Sequence, residues 1–322
     1  MRKILVINRL GIGDVVLTTP LAKLIKDNMN VRIGYVVAGK GADLLKQHPY
    51  IDDVFPYSKK AKKTILQDIK AKGYEEAIIV DERLSSTLLA WKAGCRLLNK
   101  GFEVTIGKKR LFQRPNHEVK AIEDFASYSR LLGVDPQRGD LKAEVGAVET
   151  VRAAFVSDWL AETKKKTSKI ILVVPKTAVT HKNWNTDELA KFNIYLNEKG
   201  IRPIYIGSNS DRPYIDAIAG EKINAAGKFG LRELPLLAKE AAFALAMCTG
   251  PLHIIATTAV PIIAIYGPTD PRRWAPATAI PIQSSLPCVP CQRWADCPKP
   301  LGERCMDEIK FDRVCEIMDK FL

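Results

Sequence analysis

The residues best suited to bind a phosphate follow a short apolar run in the second half of the chain. Phe243–Met247 is short enough for a buried strand, and Cys248-Thr249-Gly250-Pro251 behind it contains residue types that begin helices. The first backbone N–H groups of a helix are free to bind an anion. We therefore predict a phosphate contact at Thr249 and Gly250, with His253 one helical turn away.

Two further polar residues follow strands in the same half, and each has two interpretations. Lys182 comes after the apolar run Ile170–Val174 and either meets a phosphate as a point charge or is a solvated loop lysine. Asp211 either binds ribose hydroxyls or caps the helix that it begins. His253 also keeps both roles, because a lone helical histidine is usually structural.

A glycine-rich loop, Gly11-Ile12-Gly13-Asp14, follows the first apolar run of the chain. It lacks the third glycine of a dinucleotide-binding loop, and Asp14 would repel a phosphate at the helix start, so a dinucleotide cofactor is not expected here. Asp14 is either a helix-capping acid, which the spacing alone favours, or a general base that takes a proton from a substrate.

Four of the seven cysteines crowd into one stretch, at Cys288, Cys291, Cys297 and Cys305. Four thiolates are a ligand set for one Zn²⁺ or iron ion in tetrahedral geometry. Such a closed site is structural, because no position is left for a substrate. Reduced thiols are the equal alternative, and disulfides come third because a chain of this size in a reducing compartment does not need them.

Short apolar strands alternate with helical patterns through both halves, including one helix from Asp14 to about Asp27 and one over 118–132. This alternation predicts an α/β fold with two Rossmann-like doubly wound domains that face a cleft. The expected parts are an N-terminal domain over 1–150, a linker helix and loop over 151–168, a C-terminal domain over 169–305 with the Cys-rich loop, and a C-terminal helix over 306–322 that packs back on the N-terminal domain.

The balance of charges favours an anionic partner. The 322 residues include 49 Lys and Arg against 36 Asp and Glu, a net charge of +13. No nucleic-acid motif accompanies these charges, and aromatic residues are sparse, so nucleic acid is not expected as a partner. No apolar run reaches the length of a membrane span. Asn8, Arg9 and Asp14 interrupt the N-terminal apolar run, so we interpret it as a first strand and expect a cytoplasmic protein.

Several motifs occur in a fixed order along nearly the whole chain. They are Leu10-Gly11-Ile12-Gly13-Asp14-Val15-Val16-Leu17-Thr18-Thr19-Pro20, Lys182-Asn183-Trp184, Thr249-Gly250-Pro251-Leu252-His253, Tyr266-Gly267-Pro268-Thr269-Asp270-Pro271 and Trp274-Ala275-Pro276. Together, at these separations, they resemble glycosyltransferase family 9, the heptosyltransferases that build the inner core of lipopolysaccharide. The cysteine series that ends in Cys305-Met306 also looks like the tail of many members.

The resemblance implies an inverting sugar transfer on a GT-B scaffold, with the acceptor on the N-terminal domain and the nucleotide sugar on the C-terminal domain. By similarity, Asp14 is the base that takes the proton from the acceptor hydroxyl. Lys182 and Thr249-Gly250 hold the diphosphate, and catalysis needs no metal. Further donor contacts are implied at Thr177, Asp211, Cys248 and His253.

Cys248 departs from the family, which usually has Asp immediately before Thr-Gly, so the donor either remains ADP-heptose or is another nucleotide sugar. The expected acceptor is lipopolysaccharide inner core or a related anionic glycolipid at the inner membrane, to which the enzyme is peripheral. Acceptor contacts are predicted at Gly13, Lys60, Arg83 and Arg114. The alternatives are an epimerase or phosphorylase on the same scaffold, and a sugar-nucleotide-binding member without catalysis.

Overall fold

The computed structural model describes residues 1–98, 119–136, 141–293 and 297–322. Contacts divide the chain into two compact units, Met1–Ala147 and Val148–Leu322. Among the described residues, no helix is both long enough and apolar enough to cross a bilayer.

The first unit contains a five-stranded parallel sheet in the order β3-β2-β1-β4-β5. Its strands are β1 (Arg2–Asn8), β2 (Val31–Ala38), β3 (Asp53–Tyr57), β4 (Glu76–Ile79) and β5 (Arg96–Leu98). Its described helices are α1 (Ile12–Leu17), α2 (Thr19–Asn28), α3 (Gly39–Leu44), α4 (Lys62–Lys72), α5 (Leu84–Ala93) and α6 (Ala121–Ala126), with a 3-10 helix over Ser127–Leu132.

The second unit contains a six-stranded parallel sheet in the order β11-β10-β9-β6-β7-β8. Its strands are β6 (Ile171–Val174), β7 (Ile204–Tyr205), β8 (Ile223–Asn224), β9 (Phe243–Met247), β10 (Ile262–Tyr266) and β11 (Ala279–Gln283). Its described α-helices are α7 (Thr150–Lys164), α8 (Thr186–Glu198), α9 (Arg212–Asp216), α10 (Leu234–Lys239), α11 (Gly250–Ile255), α12 (Pro271–Trp274), α13 (Cys305–Glu308) and α14 (Phe311–Met318). Short 3-10 helices cover Thr180–Lys182, Asn209–Asp211 and Leu231–Glu233.

The central strands of both sheets are apolar on both faces, as is typical of a doubly wound parallel sheet. Ile4–Ile7 of β1 and all of β9 have no exposed surface. The strand order reverses between β1 and β4 in the first unit and between β6 and β9 in the second. Ligands of open α/β sheets bind past the carboxyl ends of the strands at such a reversal. Functional residues are therefore expected on the loops after these four strands.

The stretch from Asp14 to about Asp27 is helical as predicted, but it contains two helices rather than one. The break lies at Thr18, which ends α1 and precedes α2. The buried Thr18 hydroxyl donates to the Val15 carbonyl oxygen at 2.8 Å. Pro20 is the second residue of α2, where a missing backbone N–H breaks no helical hydrogen bond. The expected long helix over 118–132 is likewise shorter, with α6 passing into a 3-10 helix that ends at Gly133 with φ 78°.

The segments expected to be a linker and a docked C-terminal helix both belong to the second unit. Helix α7 contacts α10, and its Trp159 ring lies 4.9 Å from the Phe229 ring. Helix α14 packs on α8 and β10 of the second unit, and the Phe321 and Phe243 ring centroids are 6.0 Å apart. The expected packing of the C-terminal helix on the first unit stays a prediction. The buried Trp184 Nε1 also donates to the Ile309 carbonyl oxygen at 2.7 Å.

Candidate functional site

Two loops of the second unit converge at the carboxyl edge of its sheet. β6 and β9 are hydrogen-bonded neighbours, with Val174 opposite Ala246. The loop after β6 carries Lys182, and the loop after β9 begins at Cys248. The Cys248 side chain is near enough to the Lys182 ammonium to affect its pKa. The structure therefore brings together two of the residues predicted to bind the donor.

Lys182 is a buried cation. It ends the 3-10 helix Thr180–Lys182, and only 5% of the residue is exposed. Burial lowers the pKa of its ammonium, and the neighbouring thiols of Cys248 and Cys291 act against that shift. A phosphate would offset the cost of desolvation through Coulomb attraction, since an opposite charge at short range favours the charged form. This environment suits a phosphate ligand better than the solvated-loop interpretation does.

Thr177 holds the loop before Lys182 in shape. Its backbone N–H donates to Asn183 Oδ1 at 2.7 Å, and its hydroxyl donates to the Val179 carbonyl oxygen at 2.8 Å. The hydroxyl is thus engaged within the loop. Its contribution to a donor site would be to fix the loop that carries Lys182.

Two deeply buried polar atoms flank this edge, one on His253 and one on Tyr266. Within the part of the chain that the structure describes, neither His253 Nδ1 nor Tyr266 Oη finds a hydrogen-bond partner. Tyr266 is completely buried at the end of β10, and burial, with a smaller effect of the Cys248 thiol, raises its pKa well above the ordinary value. Buried polar groups nearly always have a hydrogen-bond partner, so these two atoms are candidates to bond a ligand. The sequence-based prediction omitted Tyr266, although it ends a strand directly before Gly-Pro-Thr-Asp-Pro.

His253 is neutral in the folded protein. Burial lowers the pKa of its imidazole to about 4, and the Trp274 ring lies edge-on to it at 6.4 Å between centroids. The ring therefore cannot supply a positive charge to a phosphate near neutral pH. A neutral imidazole can still exchange one hydrogen bond with a ligand.

The depressed pKa of His253 predicts an acid-sensitive second unit. Between pH 6.5 and about 4 the unfolded chain binds a proton that the folded chain does not, so the free energy of unfolding falls as the pH is lowered through this window. The expected loss is about 3 kcal/mol for one histidine. Denaturant unfolding of His253→Gln measured across this window should show a flatter pH dependence than the wild type.

His48 offers a matched variant in the first unit, because burial also lowers its pKa to about 4. His48→Gln should flatten the pH dependence of the free energy of unfolding by a similar amount. The double variant should flatten it by the sum of the two effects. An unchanged slope in His253→Gln would contradict the burial of a neutral imidazole at that position.

Asp211 is held by groups of its own loop. Its Oδ2 accepts from the Ser208 backbone N–H at 2.8 Å and from the Ser208 hydroxyl at 2.6 Å, and its Oδ1 pairs with Lys176 Nζ at 3.1 Å. Burial acts to raise the pKa of Asp211, but the bonds from Ser208 and Lys176 outweigh it, so the pKa is lowered. This geometry supports the capping interpretation. It also reveals Lys176, which the prediction omitted, as a cation on the loop after β6.

Thr249 and Gly250 begin α11, as predicted. Thr249 is the extended N-cap residue, and its side chain makes no capping hydrogen bond. The helix has only six residues, so its dipole is small and the buried Lys182 ammonium is the stronger charge at this edge. Both residues are partly exposed, as is the preceding Cys248.

A second set of polar residues lies at the carboxyl edge of the first unit's sheet. Asp14 is the third residue of α1, is partly exposed, and accepts from the Gly11 backbone N–H through Oδ2 at 3.0 Å. This bond is the helix-capping geometry that the spacing favours. It leaves the carboxylate at the edge where a substrate would bind, next to Gly13 in the first turn of α1.

The ends of β1 and β4 are joined by a buried network that the prediction missed. Arg9 Nε donates to Asp81 Oδ2 at 3.1 Å, and another guanidinium nitrogen donates to Ser85 Oγ at 2.5 Å. The same guanidinium lies 4.3 Å from the centroid of the Tyr57 ring. Arg9 directly follows β1, and Asp81 lies two residues after the end of β4. These positions in the sequence could have identified both residues. The network also holds the backbone that Arg83 contacts, because the Arg83 side chain donates to the Arg9 carbonyl oxygen.

The structure describes two of the three basic residues predicted to contact the acceptor. Arg83 is exposed and is the N-cap residue of α5 at the carboxyl edge. Lys60 is exposed in the turn before α4. Arg114 lies outside the described residues. Whether these groups meet one substrate stays a prediction.

The thiols of Cys288, Cys291 and Cys297 lie within electrostatic range of the Cys305 thiol. Burial raises the pKa of the Cys305 thiol to about 11, and the thiols of Cys291, Cys297 and Cys288 add to that shift. Cys288 and Cys291 are exposed. Over the described ranges, however, no three His, Cys, Asp or Glu side chains are placed to hold a metal ion. The thiols are thus near one side chain, Cys305, but they are not arranged as metal ligands. The metal assignment stays a prediction.

Metal analysis decides that prediction. Protein purified without an affinity metal should contain about one Zn or Fe per chain if the four thiolates bind a structural ion. Cys288→Ser with Cys291→Ser should then remove the ion, while Cys95→Ser, a buried cysteine of the first unit, should not. Absence of metal together with seven titratable thiols would exclude the site.

The loop after β10 is packed tightly by Cys305, the last residue of the cysteine cluster, and by Met306. A Cβ atom at Gly267 would lie 2.5 Å from Met306 Sδ and 3.1 Å from Cys305 Sγ, so a larger residue there would require Met306 to shift. Gln283 Nε2 donates to the Gly267 and Thr269 carbonyl oxygens. This packing holds Tyr266 and the start of the Gly-Pro-Thr-Asp-Pro loop in place beside Cys248.

Comparison with known proteins agrees with this arrangement. Residues 63–301 match glycosyltransferase family 9 (heptosyltransferase). Lipopolysaccharide heptosyltransferase 1 of Campylobacter coli is 25% identical over 307 residues, which cover 86% of this chain and 87% of that protein. A family 9 glycosyltransferase structure from Veillonella parvula superposes with a TM-score of 0.80 at 20% identity and covers 99% of this chain and 97% of that one. E. coli ADP-heptose lps heptosyltransferase II gives a TM-score of 0.76 at 18% identity, with 99% and 98% covered.

Two Rossmann-like parallel-sheet units in one chain are the GT-B architecture, which the superposed structures share. Because the family match spans well over half of the residues, the chain belongs to glycosyltransferase family 9. The predicted fold class and the resemblance are both confirmed. The protein is a heptosyltransferase-like glycosyltransferase.

Proposed function

We propose that the protein is an inverting glycosyltransferase that transfers heptose from ADP-heptose to lipopolysaccharide inner core or a related anionic glycolipid. One observation carries the donor half of this proposal. A buried lysine, Lys182, lies beside Cys248 at the reversal of strand order in the second unit. A buried cation at that position suits the diphosphate of a nucleotide sugar.

The proposed reaction is a single displacement. Asp14 accepts the proton of the acceptor hydroxyl, whose oxygen attacks the anomeric carbon of the donor sugar. The bond from that carbon to the diphosphate oxygen breaks, and the nucleoside diphosphate leaves with the electron pair. Lys182 stabilises the negative charge that develops on the leaving group, which lowers the barrier most when the charge is held in a site of low dielectric constant.

Tyr266 and His253 complete the proposed donor contacts. Each has a buried polar atom that lacks a partner among the described residues. The Tyr266 hydroxyl can donate to a phosphate or sugar oxygen, and His253 can exchange a hydrogen bond as a neutral ring. Thr177 and Asp211 shape the loops around them through the hydrogen bonds described above. Thr249 and Gly250 supply backbone N–H groups at the start of α11.

Cys248 bears on which sugar is transferred. A thiol is a weak acceptor, whereas the carboxylate usual in the family accepts strong hydrogen bonds from sugar hydroxyls. A donor with fewer hydroxyls at that point, attached to another nucleotide, is therefore the second candidate. A binding member that has lost catalysis is the third, and the same substitution supports it.

The acceptor half of the proposal rests on charge. The net charge of +13 and the exposed Lys60 and Arg83 favour a phosphorylated or acidic glycolipid. Such an acceptor is carried by the cytoplasmic face of the inner membrane, so we propose that the enzyme acts there as a peripheral protein.

A thermal-shift screen of ADP-, GDP-, UDP- and CDP-sugars tests the donor. A ligand that binds only the folded state stabilises it by about 2.7 kcal/mol at a hundredfold excess over Kd, which is a readily measured rise in Tm. ADP-heptose is expected to give the largest rise, and Lys182→Met should abolish it. Stabilisation by a different nucleotide sugar alone would move the assignment to the second candidate.

A transfer assay with the ligand so identified separates enzyme from binding protein. Formation of the nucleoside diphosphate on adding a lipopolysaccharide acceptor supports catalysis. Tight donor binding with no transfer to any acceptor would leave the binding member as the function.

A further inference from the structure

Helix α5 of the first unit exposes an apolar stripe. Leu84 is 71% exposed, Leu88 42% and Trp91 65%. Their spacing of four and three residues places them on one face of the helix, within about 60° of each other. The opposite side of α5 is buried through Leu89 and Ala90. The stripe is therefore the outward face of a helix that is otherwise anchored in the core.

This concentration is exceptional within the described part of the chain. Eight large apolar residues are strongly exposed there, and three of them belong to this one helix. The other five are Met1, Val151, Ile194, Ile280 and Leu301, each on a different segment. Single exposed apolar residues need no explanation, but a contiguous group marks a surface that binds something.

Exposed lysines lie on the same two packed helices as the stripe. Helix α4 packs directly against α5, and Lys62, Lys63 and Lys70 of α4 are exposed. Lys92 is exposed on α5 itself, one residue after Trp91. Asp68 is the one acidic residue in these two helices. Together the outward faces of α4 and α5 combine apolar side chains with unbalanced lysines.

We propose that this face of α4 and α5 docks on an anionic lipid bilayer. Apolar side chains of an interfacial helix enter the boundary between headgroups and acyl chains, and tryptophan favours that depth because its ring is apolar with one polar N–H. Lysines beside it are attracted to anionic headgroups. A second copy of the chain fits this face less well, because it would bring another net charge of +13 against the same lysines.

The docking face is inferred from exposure and charge alone. The proposed function adds the reason for docking, because a lipid-borne acceptor places a membrane beside the enzyme. α5 begins at Arg83, at the carboxyl edge of the sheet where the acceptor is proposed to bind. A membrane against this helix would therefore lie next to the acceptor edge of the first unit.

Vesicle sedimentation tests the docking face directly and requires no sugar transfer. The wild type is expected to bind vesicles of phosphatidylcholine mixed with phosphatidylglycerol, and to bind pure phosphatidylcholine vesicles much less. The triple variant Leu84→Ser, Leu88→Ser, Trp91→Ser should bind the mixed vesicles about tenfold more weakly, because most of the inserted apolar area is lost. Replacing Lys62, Lys63 and Lys70 by Gln should remove the preference for the anionic lipid.

The chain offers a matched control. Val151→Ser, Ile194→Ser, Leu301→Ser removes three equally exposed apolar side chains from other segments, and it should bind as the wild type does. Circular dichroism and thermal melting should show that all variants fold. A triple α5 variant that binds like the wild type, or a wild type that binds neither kind of vesicle, would overturn the inference.

Two further results separate this inference from its alternatives. A wild type that sediments as a dimer and an α5 variant that is monomeric, with no vesicle binding, would assign the face to a second copy. Vesicle binding that is lost in the α5 variant but accompanied by no sugar transfer would keep the docking face and reject the proposed function.

Discussion

Replacing Lys182 by methionine is expected to lower kcat/KM about 10²- to 10³-fold, the usual cost of removing one electrostatic contact to a leaving oxyanion. Methionine matches the lysine in length and fits a buried position. Because Lys182 is buried and its pKa is lowered by desolvation, losing the charge should leave the thermal stability unchanged or raise it. Steady-state kinetics with the preferred nucleotide sugar, beside a melting curve, measure both effects.

Lys176→Met is the control on the same loop. Lys176 is partly exposed and its ammonium is paired with Asp211, so its loss should affect turnover far less. A purely structural Lys182 would instead show lower stability with unchanged kinetics in Lys182→Met. That outcome would remove Lys182 from the proposed mechanism.

Replacing Asp14 by asparagine is expected to lower turnover about 10²- to 10⁴-fold, the range for loss of a general base. The amide oxygen of asparagine can still accept the Gly11 N–H bond that Asp14 accepts at 3.0 Å, so α1 should keep its start. Donor binding should persist, because the proposed donor contacts all lie in the second unit. Single-turnover kinetics measure the loss of turnover, and a donor titration measures whether donor binding persists.

A helix-capping aspartate elsewhere gives the comparison. Asp307 Oδ2 accepts from the Arg304 backbone N–H at the start of α13, in the position that Asp14 has in α1. Asp307→Asn should leave turnover nearly unchanged. Turnover that survives in Asp14→Asn at the level of Asp307→Asn would mean that Asp14 only caps its helix.

The strands and the edges that carry chemistry could be predicted because buried parallel strands are continuous apolar runs. The apolar run Phe243–Met247 is β9 with the same bounds, and Ile170–Val174 differs from β6 by one residue. The loops with Lys182 and Cys248 follow from such runs, and the reversal of strand order then explains why they meet. The ordered motifs supplied the family and the fold class.

What the sequence did not show depends on tertiary contacts. Both oxygens of Asp211 are bound by Ser208 and Lys176, and no spacing rule identifies Lys176 as the partner. In the sequence Tyr266 is an ordinary end of a strand. Only the structure shows that its buried hydroxyl, near Cys248, has no hydrogen-bond partner among the described residues. One continuous helix and two helices broken at Thr18 have the same apolar pattern, so the sequence does not distinguish them.

The bond from Trp184 to Ile309 has a consequence for how the protein is made. These residues are 125 positions apart, and the Phe243 ring likewise packs against Phe321. A ribosome releases the chain from its N-terminus, so the five-stranded sheet of the first unit is available once residue 98 has emerged. The second unit must hold an incomplete core through some 125 further residues. Nascent chains paused before α14 should therefore be the form that chaperones bind.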